Sequence, residues 1–149
     1  MEKNFAFIGV GNMASAIIGG LTDKTSEDAV PEAQITLFDK NPAQYDRCGA
    51  GFVHASSAGE AVRGADIVVL AVKPQNYAEV LEELGRTDTL GKIFISIAAG
   101  ISTAFVEKYL GANTAVVRTM PNTPLLIGKG VTALCRNKNV SDVQFDLVE

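Results

Sequence analysis

Tryptophan is absent from this sequence of 149 residues, and only two cysteines and one histidine are present. The cysteines, Cys48 and Cys135, lie far apart, with neither CxxC spacing nor a histidine at the distance typical of a zinc site. Neither they nor His54 belong to a pattern typical of a catalytic triad, and we expect His54 to lie in a strand near the surface. The sequence therefore predicts reduced thiols, no metal site and no nucleophilic catalysis.

The sequence also lacks basic blocks and long apolar runs. Its 13 Lys and Arg residues and 17 Asp and Glu residues give a net charge of -4, and no cluster could neutralise successive phosphates of a nucleic acid. The longest apolar runs, such as residues 67–72, have the length of a strand and fall far short of the roughly 20 residues of a membrane helix. We expect neither nucleic acid nor a membrane as a partner.

The N-terminus gives no sign of a targeting segment. Residues 1–4 lead directly into a short apolar run, without the long hydrophobic region and cleavage site of a signal peptide. We therefore expect a cytoplasmic protein. A chain of 149 residues with 47% hydrophobic and 20% charged residues is typical of one soluble, compact domain with its own core.

Short apolar runs alternate along the chain with segments that have helical features. The runs predict strands at residues 4–9, 34–39, 52–54, 67–72, 93–97 and 115–118. Helices are predicted at residues 13–21, 42–48, 57–64, 74–84 and 103–110, and a loop at residues 22–33. Strands that alternate with helices form βαβ units with right-handed crossovers. The predicted fold is therefore α/β, with a doubly wound, mostly parallel sheet.

Polar residues are expected to cap several of these helices. Asn12 and Ser102 suit the N-cap position, and Ser57-x-x-Glu60 has the spacing of a capping box. Ser141-x-x-Gln144 has the same spacing, yet the chain ends barely two turns later. Because a helix this short is marginal alone, we expect the chain to be a fragment of a longer protein.

The first predicted helix follows a glycine motif, G-x-G-x-x-A. Gly9 permits a tight turn after the first strand, Gly11 lets the backbone approach a diphosphate, and Ala14 allows close packing of helix on strand. N–H groups at a helix start, together with the helix dipole, bind anions. The motif thus predicts a Rossmann-type dinucleotide site formed by Gly9, Val10, Gly11, Asn12, Met13 and Ala14.

The end of the second predicted strand bears on the choice between NAD and NADP. Asp39 stands where an acidic residue typically accepts hydrogen bonds from the adenosine ribose, and its charge would repel a 2′-phosphate. Lys40, Asn41 and Arg47 follow it and could bind that phosphate through charge and hydrogen bonds. A solvated turn is the structural alternative for Asp39, and the sequence leaves these interpretations open.

Further candidates follow the later strands, because parallel strands end at the sheet edge where α/β folds bind ligands. Small residues there leave room for a flat cofactor, and Lys73 is expected either to reach the cleft or to be a plain surface lysine. In the loop 118–124, Asn122 and Thr123 offer donors and acceptors between two prolines, although a rigid loop without a ligand fits equally. The cofactor-binding candidates of this group are Ala71, Val72, Lys73, Pro74, Ala98, Ala99 and Gly100.

Four sequence blocks occur in a characteristic order: FIGVGNMA at residues 7–14, LAVKPQ at 70–75, SIAAG at 96–100 and VRTMPNTP at 117–124. Together they resemble the N-terminal half of pyrroline-5-carboxylate reductases, over nearly the whole chain. The resemblance implies proline biosynthesis, in which a hydride passes from NADPH or NADH to the imine carbon of 1-pyrroline-5-carboxylate. A protonated imine is already an electrophile, so holding the nicotinamide against it supplies most of what the transfer requires.

The resemblance also implies roles for the residues of these blocks. Residues 9–14 would hold the diphosphate, and residues 71–74 and 98–100 would line the dinucleotide. The implied cofactor is NADP, with NAD as an alternative, since Asp39 departs from the neutral or basic residues common there in NADPH-preferring members. The residues implied near the nicotinamide and the imine are Met120, Pro121, Asn122 and Thr123.

Members of this family continue into a helical C-terminal domain that has no counterpart in these residues. The resemblance implies that this domain forms a homodimer or a higher homo-oligomer and supplies the substrate pocket and the proton donor. We therefore expect residues 1–149 to bind the cofactor without turnover. Two alternatives are a related NADP-dependent reductase of other imines or of a deazaflavin, and a non-catalytic module that senses nicotinamide.

Overall fold

A computed structural model describes residues 3–98, 100–121 and 132–148 of the chain. The strands are β1 (Phe5–Ile8), β2 (Ile35–Phe38), β3 (Val53–His54), β4 (Ile67–Leu70), β5 (Ile93–Ser96), β6 (Ala115–Pro121) and β7 (Thr132–Arg136). The α-helices are α1 (Asn12–Leu21), α2 (Ala58–Arg63), α3 (Tyr77–Leu84), α4 (Thr103–Leu110) and α5 (Asp142–Val148). Short 3-10 helices span Glu32–Gln34, Pro42–Arg47 and Pro74–Asn76. In these ranges, no helix combines the length and apolar composition needed to cross a membrane.

The strands form one sheet in the order β3-β2-β1-β4-β5-β6-β7. Each strand from β1 to β6 is parallel to its neighbours among these six, and β7 is antiparallel to β6. The strand order reverses beside β1, because the chain runs outward through β2 and β3 and then returns to β4 on the other side. This arrangement confirms the predicted doubly wound, mostly parallel α/β fold. Folds of this kind open a crevice where the order reverses, at the carboxyl ends of the strands.

Helices cover both faces of the sheet. Residues that point to one face, such as Ala6 and Val68, pack with α2, α3 and α4, while Phe7 and Val69 point to the other face and pack with α1. All four residues of β4 (Ile67–Leu70) are at most 3% exposed. This confirms the prediction that the apolar run there is a strand covered on both sides.

Most predicted elements are present, and the differences lie at their ends and at one edge. The helix predicted to begin at Pro42 is a 3-10 helix over its whole length, whereas the one predicted to begin at Pro74 starts as a 3-10 helix and continues into α3. β7 (Thr132–Arg136) is not among the predicted strands. Its sequence TALCR has a single large aliphatic residue, and its position depends on pairing with β6, which no local pattern announces.

The predicted serine caps are present. Ser57 Oγ and Ser102 Oγ each accept a hydrogen bond from the N–H three residues later, at 3.1 Å. Ser141 forms the reciprocal bonds of a capping box, at 2.9 and 3.1 Å. The box predicted at Ser57 is displaced, because the carboxylate of Glu60 accepts a hydrogen bond from the N–H of Ser56, at 2.7 Å.

The predicted N-cap at Asn12 is wrong. The N-cap of α1 is Gly11, which has extended backbone angles (φ -95°, ψ -164°) and no side chain to cap the helix. The amide oxygen of Asn12 instead accepts a hydrogen bond from the guanidinium of Arg47. The N–H groups in the first turn of α1 therefore donate no hydrogen bond to a capping side chain.

Replacing Ser102 by alanine tests the cap of α4. The change removes the acceptor for Phe105 N–H, and we expect the free energy of unfolding in urea to fall by about 1 kcal/mol. Ser102→Asp is the matched control, because aspartate is also a preferred N-cap residue and its charge suits the helix dipole. An alanine variant as stable as the aspartate variant would contradict the assigned cap.

Candidate functional site

The loop after β1 turns sharply at Gly9. Its φ of 98° lies in a region that glycine adopts without strain, and its N–H donates to Phe38 O at 2.8 Å. A Cβ at residue 9 would lie 2.8 Å from both the carbonyl carbon of Ala71 and the nitrogen of Val72. The backbone angle and the close approach of the loop after β4 therefore both require glycine.

Gly11 is glycine for a different reason. Its φ of -95° is open to other residues, and a Cβ there would meet no atom of the described residues within 4 Å. The first hydrogen bond of α1 runs from Ser15 N to Gly11 O at 3.0 Å. The missing side chain thus leaves space at the N-terminus of α1, where N–H groups and the helix dipole attract anions.

Both glycines open on a cleft of about 270 Å³. The loops after β1, β2 and β4 form its walls, so it lies at the reversal of strand order where α/β folds bind ligands. The predicted residues that line it are Gly9, Val10, Gly11, Asp39, Lys40, Ala71, Val72 and Lys73. The structure therefore brings three separate predicted segments together in one crevice.

Four further residues line the cleft without being indicated by any motif: Phe38, Gln44, Asn76 and Val80. Phe38 ends β2, directly before Asp39. Gln44 lies on the 3-10 helix that begins at Pro42. Helical spacing identifies Val80 as an apolar residue of α3, but that spacing predicts only burial. These residues become neighbours of the glycine loop through the fold, and no local signal identifies them.

Asp39 ties the end of β2 to the glycine loop. Its Oδ2 accepts a hydrogen bond from Val10 N at 2.8 Å, and its Oδ1 accepts one from Asn41 N at 2.8 Å. Its own N–H donates to the Tyr45 hydroxyl at 3.0 Å. The half-buried carboxylate is thus held by backbone N–H groups, and a freely solvated turn, one of the two sequence interpretations, is not what the structure shows.

The basic residues of this corner already have partners. Lys40 Nζ lies 2.6 Å from Glu79 Oε1, with both side chains more than 60% exposed. Arg47 Nε donates to Gln44 Oε1 at 2.6 Å, and a second nitrogen of its guanidinium donates to Asn12 Oδ1. Arg47 therefore links the 3-10 helix after β2 to the first turn of α1.

Ala14 has the packing role that the motif predicts. It is 1% exposed and belongs to one apolar cluster with Phe7 and Val69. Asn12 and Met13 complete the first turn of α1 with it. A larger side chain at residue 14 would push α1 away from β1 and β4. The small side chain of Ala14 therefore allows the short distance between α1 and the sheet.

Asn41 is the N-cap of one 3-10 helix beside the cleft, and Pro74 is the first residue of the other. Asn41 Oδ1 accepts a hydrogen bond from Ala43 N at 3.1 Å. Neither is among the residues that line the cleft. Their contribution is to the shape of the loops that do.

Of the predicted residues that follow β5, Ala98 and Gly100 are not among those that line this cleft. Ala98 is 6% exposed, and Gly100 is exposed with a φ of 76°. Met120 and Pro121 are the last residues of β6. The remaining predicted residues, Ala99, Asn122 and Thr123, are outside the described residues, and the roles assigned to them stay predictions.

Little in the described part of the chain is equipped for proton transfer or metal chemistry. No group of three or more His, Cys, Asp or Glu lies in it that could hold a metal ion. Cys48 and Cys135 are free thiols, and burial raises the pKa of Cys48. His54 is an exposed residue of β3 that stacks on Tyr45, with 4.2 Å between ring centroids.

Comparison with known proteins gives a consistent result. The model of the family described as NADP oxidoreductase coenzyme F420-dependent matches residues 4–100. The pyrroline-5-carboxylate reductase of Pseudomonas aeruginosa is 43% identical over 141 residues, which cover 93% of this chain and 50% of that protein. The one of Escherichia coli is 38% identical over 145 residues, which cover 95% and 52%. The chain thus spans about half the length of the curated relatives it matches.

Solved structures share the fold. A pyrroline-5-carboxylate reductase from Coxiella burnetii superposes with a TM-score of 0.90 and 34% identity, covering 100% of this chain and 55% of that chain. Plasmodium falciparum pyrroline carboxylate reductase with NADP bound gives a TM-score of 0.84 and 29% identity, covering 98% and 52%. This chain resembles the N-terminal half of such proteins.

Alanine at the two glycines should separate folding from binding. We expect Gly9→Ala to lose more than about 2 kcal/mol of unfolding free energy, because of its backbone angle and the overlap with residues 71 and 72. Gly11→Ala should cost less than about 1 kcal/mol and yet weaken binding of a nicotinamide nucleotide at least about tenfold. Urea unfolding and calorimetric titration measure the two effects. Full affinity in Gly11→Ala would contradict the assigned anion site.

Proposed function

This chain belongs to the family of NADP oxidoreductases described as coenzyme F420-dependent, and from that premise we propose that it is the nucleotide-binding half of a pyrroline-5-carboxylate reductase. The observation that carries the proposal is the cleft at the reversal of strand order, with Gly9 required by its surroundings and Gly11 open to a ligand. The names of the relatives, at 38–43% identity, support the reaction.

The residues fit a dinucleotide. The space beside Gly11 and the first turn of α1, which has no side-chain cap, suit the diphosphate. Ala71 and Val72 give a wall without bulky side chains, against which a flat group can lie. When bound, the nicotinamide supplies the hydride that reduces the imine. The part of this chain is to bind the nucleotide and to orient it.

We favour NADPH over NADH. Asp39 already accepts two backbone hydrogen bonds, so its carboxylate serves the glycine loop, whereas the guanidinium of Arg47 lies in the same corner. A guanidinium matches the geometry of a phosphate. Lys40 can join it, because the exposed ion pair with Glu79 contributes little to stability. The description of the family and the NADP-bound relative support the same choice.

The preference can be measured by titrating the chain with NADPH and with NADH by calorimetry. We expect NADPH to bind more tightly, and Arg47→Ala to weaken NADPH about tenfold while changing NADH less than about twofold. Arg63→Ala is the control, since Arg63 is exposed on α2 and does not line the cleft. Equal losses for both nucleotides would contradict a 2′-phosphate contact, and no binding of either below millimolar would contradict the site itself.

We infer that the chain alone does not complete the reaction. The charged residues that line its described cleft are Asp39, Lys40 and Lys73, and the substrate pocket and proton donor are expected in the half of the relatives that it does not span. With NADPH and 1-pyrroline-5-carboxylate, we expect no proline above a control without protein. Proline formation above that control would contradict this division of labour.

A deazaflavin substrate is the second candidate, because the family description names coenzyme F420. The curated relatives at 38–43% identity are named as reductases of the pyrroline, which favours the imine. Calorimetry with a deazaflavin in the presence of NADPH distinguishes the two. A deazaflavin that binds the chain below millimolar would favour the second candidate.

A further inference from the structure

Tyr77 has a buried hydroxyl at the point where two strands end. It is the first residue of α3, and its side chain is 1% exposed. The hydroxyl donates to the carbonyl oxygen of Leu70 at 2.7 Å and lies 3.0 Å from Ser96 Oγ. Ser96 is also 1% exposed. The side chain thus reaches from α3 to the last residues of β4 and β5.

Leu70 and Ser96 are register partners on the parallel strands β4 and β5. The carbonyl oxygen of Leu70 also accepts a hydrogen bond from Ile97 N at 3.3 Å. Beyond Leu70, the chain leaves the sheet and forms the wall of the cleft with Ala71 and Val72. The hydroxyl of Tyr77 therefore lies at the base of the loop that shapes the cleft.

The peptide group between Leu70 and Ala71 is held from both sides. Its carbonyl oxygen accepts from Tyr77, and its N–H donates to Ile8 O at 2.8 Å. A peptide group is planar, so fixing both ends fixes its orientation. The position of Ala71 matters for the site, because its carbonyl carbon would lie 2.8 Å from a Cβ on Gly9. A shift of this peptide would therefore alter the contact with the glycine loop.

Burial makes this hydroxyl a dependable donor. Buried polar groups need hydrogen-bond partners, and burial raises the pKa of Tyr77, which keeps the hydroxyl protonated. The ring packs in the apolar cluster between the sheet and α2, α3 and α4. Phenylalanine would fill the same space and lack only the donor, so the contribution of the hydroxyl can be separated from that of the ring.

We propose that Tyr77 is a positioning residue, whose hydroxyl fixes the Leu70–Ala71 peptide and thereby holds the cleft wall at the distance that nucleotide binding requires. This inference rests on the proposed function, since it assumes that the cleft takes a nicotinamide nucleotide. Tyr77 does not line the cleft. Its effect passes through the backbone of Leu70 and Ala71.

The test compares Tyr77→Phe with Val106→Ala, a core change in α4 at a residue that is 0% exposed and does not line the cleft. Two quantities are measured in each variant at a temperature where both are folded: NADPH affinity by calorimetry and hydrogen exchange of Ala71 N–H by NMR. We expect Tyr77→Phe to weaken NADPH about fivefold or more and to speed this exchange about tenfold. Val106→Ala should lose stability without weakening NADPH, and it should speed exchange at Ala71 no more than at other amides of the central strands.

Ser96→Ala gives a milder change at the same junction. It leaves the bond from Tyr77 to Leu70 in place, and we expect affinity to fall about two- to threefold, with faster exchange at Ala71. Affinity and exchange in Tyr77→Phe and Ser96→Ala that match those of Val106→Ala would overturn the proposal. If the wild-type chain binds no nucleotide, the proposed function fails, and exchange at Ala71 alone still decides whether Tyr77 positions the peptide.

Discussion

The loop after β1 and the loop after β4 approach so closely that residue 9 cannot carry a side chain. Gly9 lies against the backbone of Ala71 and Val72, where a Cβ would be 2.8 Å from two of their atoms. This contact joins the two strands between which the order of the sheet reverses. The glycine loop leads directly from this contact to Gly11 and the N-terminus of α1. The position of this part of the cleft therefore depends on the contact at Gly9.

Hydrogen bonds hold the cleft in shape from two further directions. Asp39 accepts a hydrogen bond from Val10 N at the end of β2, and the Leu70–Ala71 peptide is bonded on both sides. Each of these bonds uses a backbone group in a loop that lines the cleft. A site held in this way binds its ligand without first ordering its loops, which lowers the entropic cost of binding.

The sequence predicts strands β1 to β6, most helices, the sheet type and the glycine motif, because each depends on residues close together along the chain. It does not predict contacts between distant residues. The bond between Asp39 and Val10 spans 29 positions, and the one between Arg47 and Asn12 spans 35. The local sequence around Asp39 therefore suggests either a ribose contact or a solvated turn. In the fold, the carboxylate of Asp39 accepts a hydrogen bond from the backbone N–H of Val10. The edge strand β7 is missed for the same reason.

In the function proposed above, the diphosphate of a nucleotide binds the N–H groups at the start of α1. The most direct measurement is an NMR titration of the isotopically labelled chain with NADPH, following backbone amide signals. We expect the largest shifts at Gly11, Asn12 and Met13, with smaller shifts at Ala71 and Val72. Saturating shifts that leave Gly11 to Met13 unchanged, or the absence of any shift at millimolar nucleotide, would contradict it.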